Sequence, residues 1–133
     1  MYRLSCFALI ALGVIHLTAL GADAVGYAPG WLHGDLWTFD HWASVADQQP
    51  ALVFSGFAFW STFGSVAPGL IAVGYLLLWI DDRGLPPPRA AIVGIIAWAL
   101  IGTLLMPPSG LPAILLVSLG LLRKGRRPAA IET

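Results

Sequence analysis

One histidine of this sequence, His16, lies inside a long apolar segment, where an ionisable side chain is unusual. The segment, residues 4–22, contains no charged residue, and His16 stands about six residues, or roughly 9 Å along a helix, before its end. A side chain of this kind in an apolar helix is by default a candidate for a ligand or proton-carrying role. The structural alternative is a neutral imidazole hydrogen-bonded to a neighbouring helix, for which Ser61 and Ser65 are the expected partners.

A second set of titratable side chains lies in a polar segment, residues 23–50. Two imidazoles and two carboxylates fall within nine residues, at His33, Asp35, Asp40 and His41. These are ligand types that zinc or a non-haem metal would accept, and they could also act as an acid–base pair on an amphiphile. The spacing matches no strong metal-site pattern, so we expect no metal and no cofactor. The candidate ligand-binding residues are His16, Trp31, His33, Asp35, Asp40, His41, Ser61 and Ser65.

The composition indicates that these residues belong to a membrane protein. Charged residues make up 11% of the 133-residue chain, against about 25% in soluble domains, and 58% of the residues are hydrophobic. The charges leave three uncharged runs, at 4–22, 48–80 and 90–122. The net charge is zero, so no overall field would attract nucleic acid. We therefore expect the lipid bilayer, and no nucleic acid, as a partner.

Four membrane-spanning helices are predicted, over residues 4–22, 51–80, 90–106 and 108–122. A helix over 4–22 would reach about 28 Å, enough to cross a hydrocarbon core of about 30 Å. The second span is longer than that core, so we expect it to bend near Pro68, where the proline ring removes one helical hydrogen bond. The fold class is therefore all-α: an integral membrane four-helix bundle forming one domain over 1–127, with a disordered tail at 128–133.

The first apolar segment has a competing interpretation as a cleaved signal peptide. Arg3 precedes it, and Ala22-Asp23-Ala24 has the small-x-small form of a cleavage site. The apolar run is longer than a usual signal-peptide core, and Gly13 and His16 interrupt it. We therefore favour a retained span.

The positions of the basic residues predict the orientation of the four spans. With the N-terminus inside, Arg3, the turn at 81–89 and the cluster at 123–127 all lie in the cytoplasm, whereas the acidic loop at 23–50 lies outside. Three spans would divide the basic residues between the two sides. We therefore expect a multi-pass protein of the inner membrane with both termini cytoplasmic.

The outer loop at 23–50 is expected to contain a short interfacial helix. Leu36, Phe39, Ala43 and Ala46 recur at the spacing of one helix face, which predicts a helix over 36–47. Asp35 or Thr38 would be its N-cap. We expect this helix to lie on the membrane surface or to fold over the mouth of the bundle.

Three groups of residues resemble a known family. They are Gly13-x-x-His16, Phe63-Gly64-Ser65-x-x-Pro68, and Trp79-Ile80-Asp81-x-Arg83-Gly84-x-x-Pro87-Pro88. With them the chain resembles a family of short bacterial four-helix membrane proteins, a domain of unknown function. The resemblance implies four spans and a bacterial inner membrane, and it carries no reaction, substrate or catalytic residue.

Two functions remain open at this point. In the first, the protein is a non-catalytic bundle that packs with itself or with a larger membrane complex. Small residues in a step of four, at Ser61, Ser65 and Gly69, favour such packing because they let helix backbones approach closely. In the second, it is a membrane-embedded binder or enzyme for a hydrophobic small molecule. Its pocket would then open to the outer face, with His16 at the floor and the loop residues at the rim.

Overall fold

The computed structural model describes residues 1–123, and this part of the chain is built from helices and contains no strand. The helices are α1 (Tyr2–Ala24), α2 (Ala28–Leu32), α3 (Pro50–Ser61), α4 (Val66–Asp82), α5 (Arg89–Leu105) and α6 (Leu111–Leu121). The predicted all-α fold class is confirmed for the described residues. The predicted disordered tail at 128–133 lies outside them.

The described chain divides into two compact units. The central unit is Ala11–Ala72, and the terminal unit is Met1–Ile10 together with the chain from Val73 onward. The long helices α1 and α4 each contribute one end to each unit. The single domain expected over 1–127 stays a prediction.

Within residues 1–123, two stretches are long and apolar enough to cross a membrane. They are Tyr2–Ala24, which is α1, and Pro50–Asp82, which contains α3 and α4. The helices α5 and α6 are apolar but shorter. At 11 residues, α6 is about 17 Å long, less than the roughly 30 Å of a hydrocarbon core.

The second long stretch is broken upstream of Pro68 instead of bending at it. The helix α3 ends at Ser61, and α4 begins at Val66. Pro68 therefore lies in the first turn of α4, where its missing N–H would have no helical partner in any case. A helix continuing upstream would bring the proline ring against the carbonyl of Gly64. The expected bend near Pro68 is thus replaced by a break at 62–65.

The single continuous helix predicted over 36–47 is not formed. Residues Asp35–Trp37 and Phe39–Trp42 form two short 3-10 turns, and Thr38 between them is extended, with ψ 149°. Ala43 is also extended, which ends the second turn, and neither turn has a side-chain cap. The segment is rich in Asp, Thr, Trp, Phe and His, whose helix propensities are modest, so spacing alone did not produce a helix.

Within the terminal unit, an ion pair joins α1 to α4. Arg3, near the start of α1, lies 3.2 Å from the carboxylate of Asp81 and also contacts Asp82 at the end of α4. The side chain of Asp81 is almost fully buried, whereas Asp82 is exposed. Within this unit, the N-terminal end of α1 therefore lies beside the C-terminal end of α4.

Candidate functional site

The histidine of the first apolar segment, His16, contacts the break in the second apolar stretch. His16, on α1, places its Nε2 atom 3.0 Å from the main-chain carbonyl oxygen of Ser61, the last residue of α3. Because a carbonyl oxygen only accepts hydrogen bonds, Nε2 carries the hydrogen and donates it. The carbonyls at a helix C-terminus lack helical partners, so the imidazole supplies one that the break removed.

The serine hydroxyls that the sequence analysis offered to His16 have other partners. The Ser61 hydroxyl donates to the carbonyl of Phe57 at 2.7 Å, within its own helix. The Ser65 hydroxyl donates to the carbonyl of Thr62 at 2.5 Å and accepts from the N–H of Ala67 at 3.2 Å, so it caps α4. The structure thus brings His16 and Ser61 together through the main chain, and it leaves Ser65 on the far side of the break.

The break at 62–65 returns hydrogen bonds to the last turn of α3. The Thr62 hydroxyl donates to the carbonyl of Ala58 at 2.7 Å, and Thr62 itself is 1% exposed. The N–H of Gly64 returns to the carbonyl of Phe59 at 2.9 Å. These hydrogen bonds give the break a defined local structure, unlike a frayed helix end.

An apolar groove of about 490 Å³ lies beside this break in the central unit. One wall is the last turns of α1, from Leu17 to Ala24, and the other includes Thr62 and Phe63. The remaining lining residues are Val25, Ala28 and Trp31. Nearly all of these side chains are small or aliphatic, so the groove offers shape and apolar contact instead of reactive groups.

Trp31 on α2 connects the loop to α3. Its indole N–H donates to the hydroxyl of Ser55 at 2.9 Å. Its ring meets those of Phe59 and Phe63 edge to face, with centroids 5.6 Å and 6.2 Å apart. These contacts hold the indole against α3, where it forms one wall of the groove.

The loop carboxylates line a different cavity, of about 570 Å³. Asp35 and Asp40, two of the sequence candidates, lie there with Asp47, which the sequence analysis did not select. The cavity also contains amide and hydroxyl groups, from Thr38, Gln48, Gln49 and Ser55. The three carboxylates would repel an anionic ligand from this cavity. Among residues 1–123, no group of three or more histidine, cysteine or acidic side chains could hold a metal ion.

The two loop histidines are directed elsewhere. The Nδ1 atom of His33 lies 2.7 Å from the carbonyl oxygen of Pro29. Since His33 is the C-cap residue of the short helix α2, its side chain hydrogen-bonds back to a carbonyl of that helix. The ring of His41 packs over Gly56 on α3 and stacks edge to face on Trp42, with centroids 6.4 Å apart. The structure therefore does not bring His33 and His41 together with the carboxylates or with His16.

Of the residues that line the groove, the sequence candidates include only Trp31; they miss Gly21 and Thr62 in its walls, and Ser55, which accepts the hydrogen bond of the Trp31 indole. None of them carries a signal for a binding site, because small and weakly polar residues are ordinary in apolar helices. The break itself had a signal. Ser65 followed three residues later by Pro68 is the pattern of an N-cap with proline in the first helical turn.

The comparison with known proteins gives a family without an activity. A family of unknown function, DUF6463, matches residues 1–128 of the chain. No curated protein and no solved structure matches it. Since the match covers nearly the whole chain, the protein belongs to the DUF6463 family of unknown function.

Proposed function

We propose that this protein is a small, non-catalytic four-helix bundle of the bacterial inner membrane, which packs with itself or with a larger membrane complex. One observation carries the proposal: its longest apolar stretches remain exposed. Only 22% of the apolar window in Tyr2–Ala24, and 28% of that in Pro50–Asp82, is buried. The core helix of a soluble protein would be mostly buried, because burial of apolar surface drives folding in water. Lipid is the solvent that suits such a surface.

The exposed aromatic residues of the outer loop support the same environment. Trp37, Phe39 and Trp42 are 89%, 92% and 84% exposed. Tryptophan favours the interface between headgroups and hydrocarbon, where its ring is apolar and its N–H remains wet. The loop between α1 and α3 would therefore rest its aromatic side chains on the outer leaflet.

The ion pair of the terminal unit supports the expected orientation. Arg3 contacts Asp81 and Asp82, so the start of α1 and the turn after α4 lie at one end of that unit. Both segments carry basic residues, including Arg83, which stacks on the Trp79 ring at 4.4 Å. Basic residues favour the cytoplasmic side, so this end of the unit would face the cytoplasm.

Reporter fusions test the topology. A fusion at Thr133 and one inserted in the loop at 23–50 should label opposite sides of the membrane, with the terminus cytoplasmic. The control is a fusion in the turn at 84–88, which should label the same side as Thr133. Labelling of Thr133 and the 23–50 loop on the same side would overturn the proposed orientation.

The hydrogen bonds of His16 and His33 support a non-catalytic role for these two side chains. His16 and His33 each hold a ring nitrogen against a main-chain carbonyl, at 3.0 Å and 2.7 Å. A general base must lie within reach of a substrate proton, whereas these two ring nitrogens are hydrogen-bonded to main-chain carbonyls.

The second candidate function is a binder for a hydrophobic small molecule with a pocket opening to the outer face. The groove beside Trp31 favours it, because it is large enough for a small ligand and almost entirely apolar. His16 is not among the residues that line this groove. Any ligand there would be held by apolar contact with the groove walls and not by the histidine.

A further inference from the structure

The polar side chains that line the apolar groove already donate their hydrogens. The Thr18 hydroxyl donates to the carbonyls of Val14 and Ile15, both at 3.0 Å. The Thr62 hydroxyl donates to Ala58, and the Trp31 indole donates to Ser55. A polar ligand group placed in the groove would therefore lose its hydrogen bonds to water without gaining donors from these side chains.

Water is also a poor occupant of this groove. An ordered water needs two to four polar partners, and a space lined by apolar side chains does not provide them. The volume of about 490 Å³ lies in the range of ordinary small-molecule sites. The volume and the apolar lining of the groove suit a flexible hydrocarbon chain.

A charge beside the groove constrains what such a chain is attached to. Asp23 is exposed on α1 between Ala22 and Ala24, which both line the groove. The whole central unit, Ala11–Ala72, contains four aspartates and no lysine or arginine. An anionic headgroup would be repelled here, whereas the ammonium of a zwitterionic phospholipid would be attracted.

We propose that the groove between the end of α1, Trp31 and the helix break holds one acyl chain of a zwitterionic phospholipid, with its ammonium headgroup near Asp23. This inference rests on the proposed membrane location and adds a specific lipid site to it. The bound chain covers apolar surface that the break at 62–65 leaves open.

The test uses a glycine of the groove wall and a matched glycine elsewhere. A Cβ added at Gly21 meets no atom within 4 Å, and Gly21 lines the groove, so Gly21→Leu is the first filling variant. Gly94 on α5 is equally open and does not line the groove, so Gly94→Leu is the control. Ala22→Leu, at an exposed position of the same wall, is a second filling variant.

Native mass spectrometry of the full chain in detergent provides the measurement. The protein is supplied with equal amounts of dioleoyl-phosphatidylethanolamine and dioleoyl-phosphatidylglycerol. We expect one retained phosphatidylethanolamine per chain in the parent and in Gly94→Leu. Retention should fall at least about fivefold in both filling variants, because their side chains overlap the bound chain.

The outcomes separate this inference from the proposed function. Equal retention in Gly21→Leu, Ala22→Leu and Gly94→Leu would overturn the groove site, as would a preference for phosphatidylglycerol or an absence of bound lipid. Extraction of the protein from membranes by alkaline carbonate would instead contradict the membrane location. Circular dichroism of each variant establishes that a lost lipid does not reflect a lost fold.

Discussion

Replacing Gly13 by leucine should unfold the central unit or lower its melting temperature by the largest amount of any single change considered. A Cβ at Gly13 would lie 2.7 Å from the carbonyl oxygen of Ala67 and 2.7 Å from Cγ1 of Ile71. The first of these atoms belongs to the backbone of α4 and cannot rotate away. The helices must therefore separate, and we expect a loss of stability of about 3 kcal/mol or more.

The steric clash at Gly13 begins at Cβ, so the loss of stability should increase with the size of the side chain placed there. Gly13→Ala should already destabilise the protein, and Gly13→Leu should destabilise it further. Gly69→Ala and Gly69→Leu, on α4 of the same unit, are the matched controls because a Cβ there meets nothing within 4 Å. Thermal unfolding in detergent, followed by circular dichroism, measures all four variants. Equal melting temperatures for the Gly13 and Gly69 variants would contradict the close approach of α1 to α4.

The contrast between Gly13 and Gly69 shows what the sequence could predict about helix packing. The step Ser61, Ser65, Gly69 correctly identified a stretch rich in small residues, but Gly69 faces open space and the two serines bond to backbone. The backbones of α1 and α4 approach closely at other glycines, namely Gly13 in the central unit and Gly74 in the terminal unit, where a Cβ would lie 2.8 Å from the Cys6 carbonyl oxygen. Spacing shows that small residues could pack, whereas the rotation of each helix decides which of them do.

Element type was easier to predict than element boundary. Long uncharged apolar runs correctly indicated helices, because a continuous apolar run of about 17 or more residues is too long for a typical strand. The sequence analysis placed Pro68 inside one long helix and predicted a bend there, whereas the helix is broken at 62–65. Proline acts on the turn before it, so the same residue is compatible with a kink or with a new helix start.

The loop and its cavities were the least predictable part. The spacing of Leu36, Phe39 and Ala43 suggested an amphipathic face, but Thr38 and Ala43 are extended. No apolar helix face was formed, and Trp37, Phe39 and Trp42 remain exposed. The candidate residues were chosen for their chemistry, and the structure distributes them between a carboxylate-lined cavity and separate backbone contacts.

The second large effect concerns His16, whose replacement by leucine should leave the end of α3 without its hydrogen bond. The Ser61 carbonyl accepts from Nε2 at 3.0 Å, and leucine provides no donor. An acceptor deprived of its partner in apolar surroundings costs about 1–3 kcal/mol. At about 4 °C per kcal/mol for a chain of this size, the melting temperature should fall by roughly 4–12 °C.

Two further variants distinguish the hydrogen bond from a general loss of histidine. His16→Gln retains an N–H donor on a chain long enough to approach the Ser61 carbonyl, so it should recover part of the lost stability. His33→Ala removes an exposed ring whose one bond is to Pro29, four residues away, and should change stability by less than about 0.5 kcal/mol. If His16→Leu unfolds at the same temperature as the parent, the contact with Ser61 does not stabilise the helix break. If His16→Gln is as unstable as His16→Leu, the imidazole acts through its shape and not through its donor. The expected order, with parent and His33→Ala above His16→Gln and His16→Leu lowest, follows only when a donor at position 16 caps the broken helix.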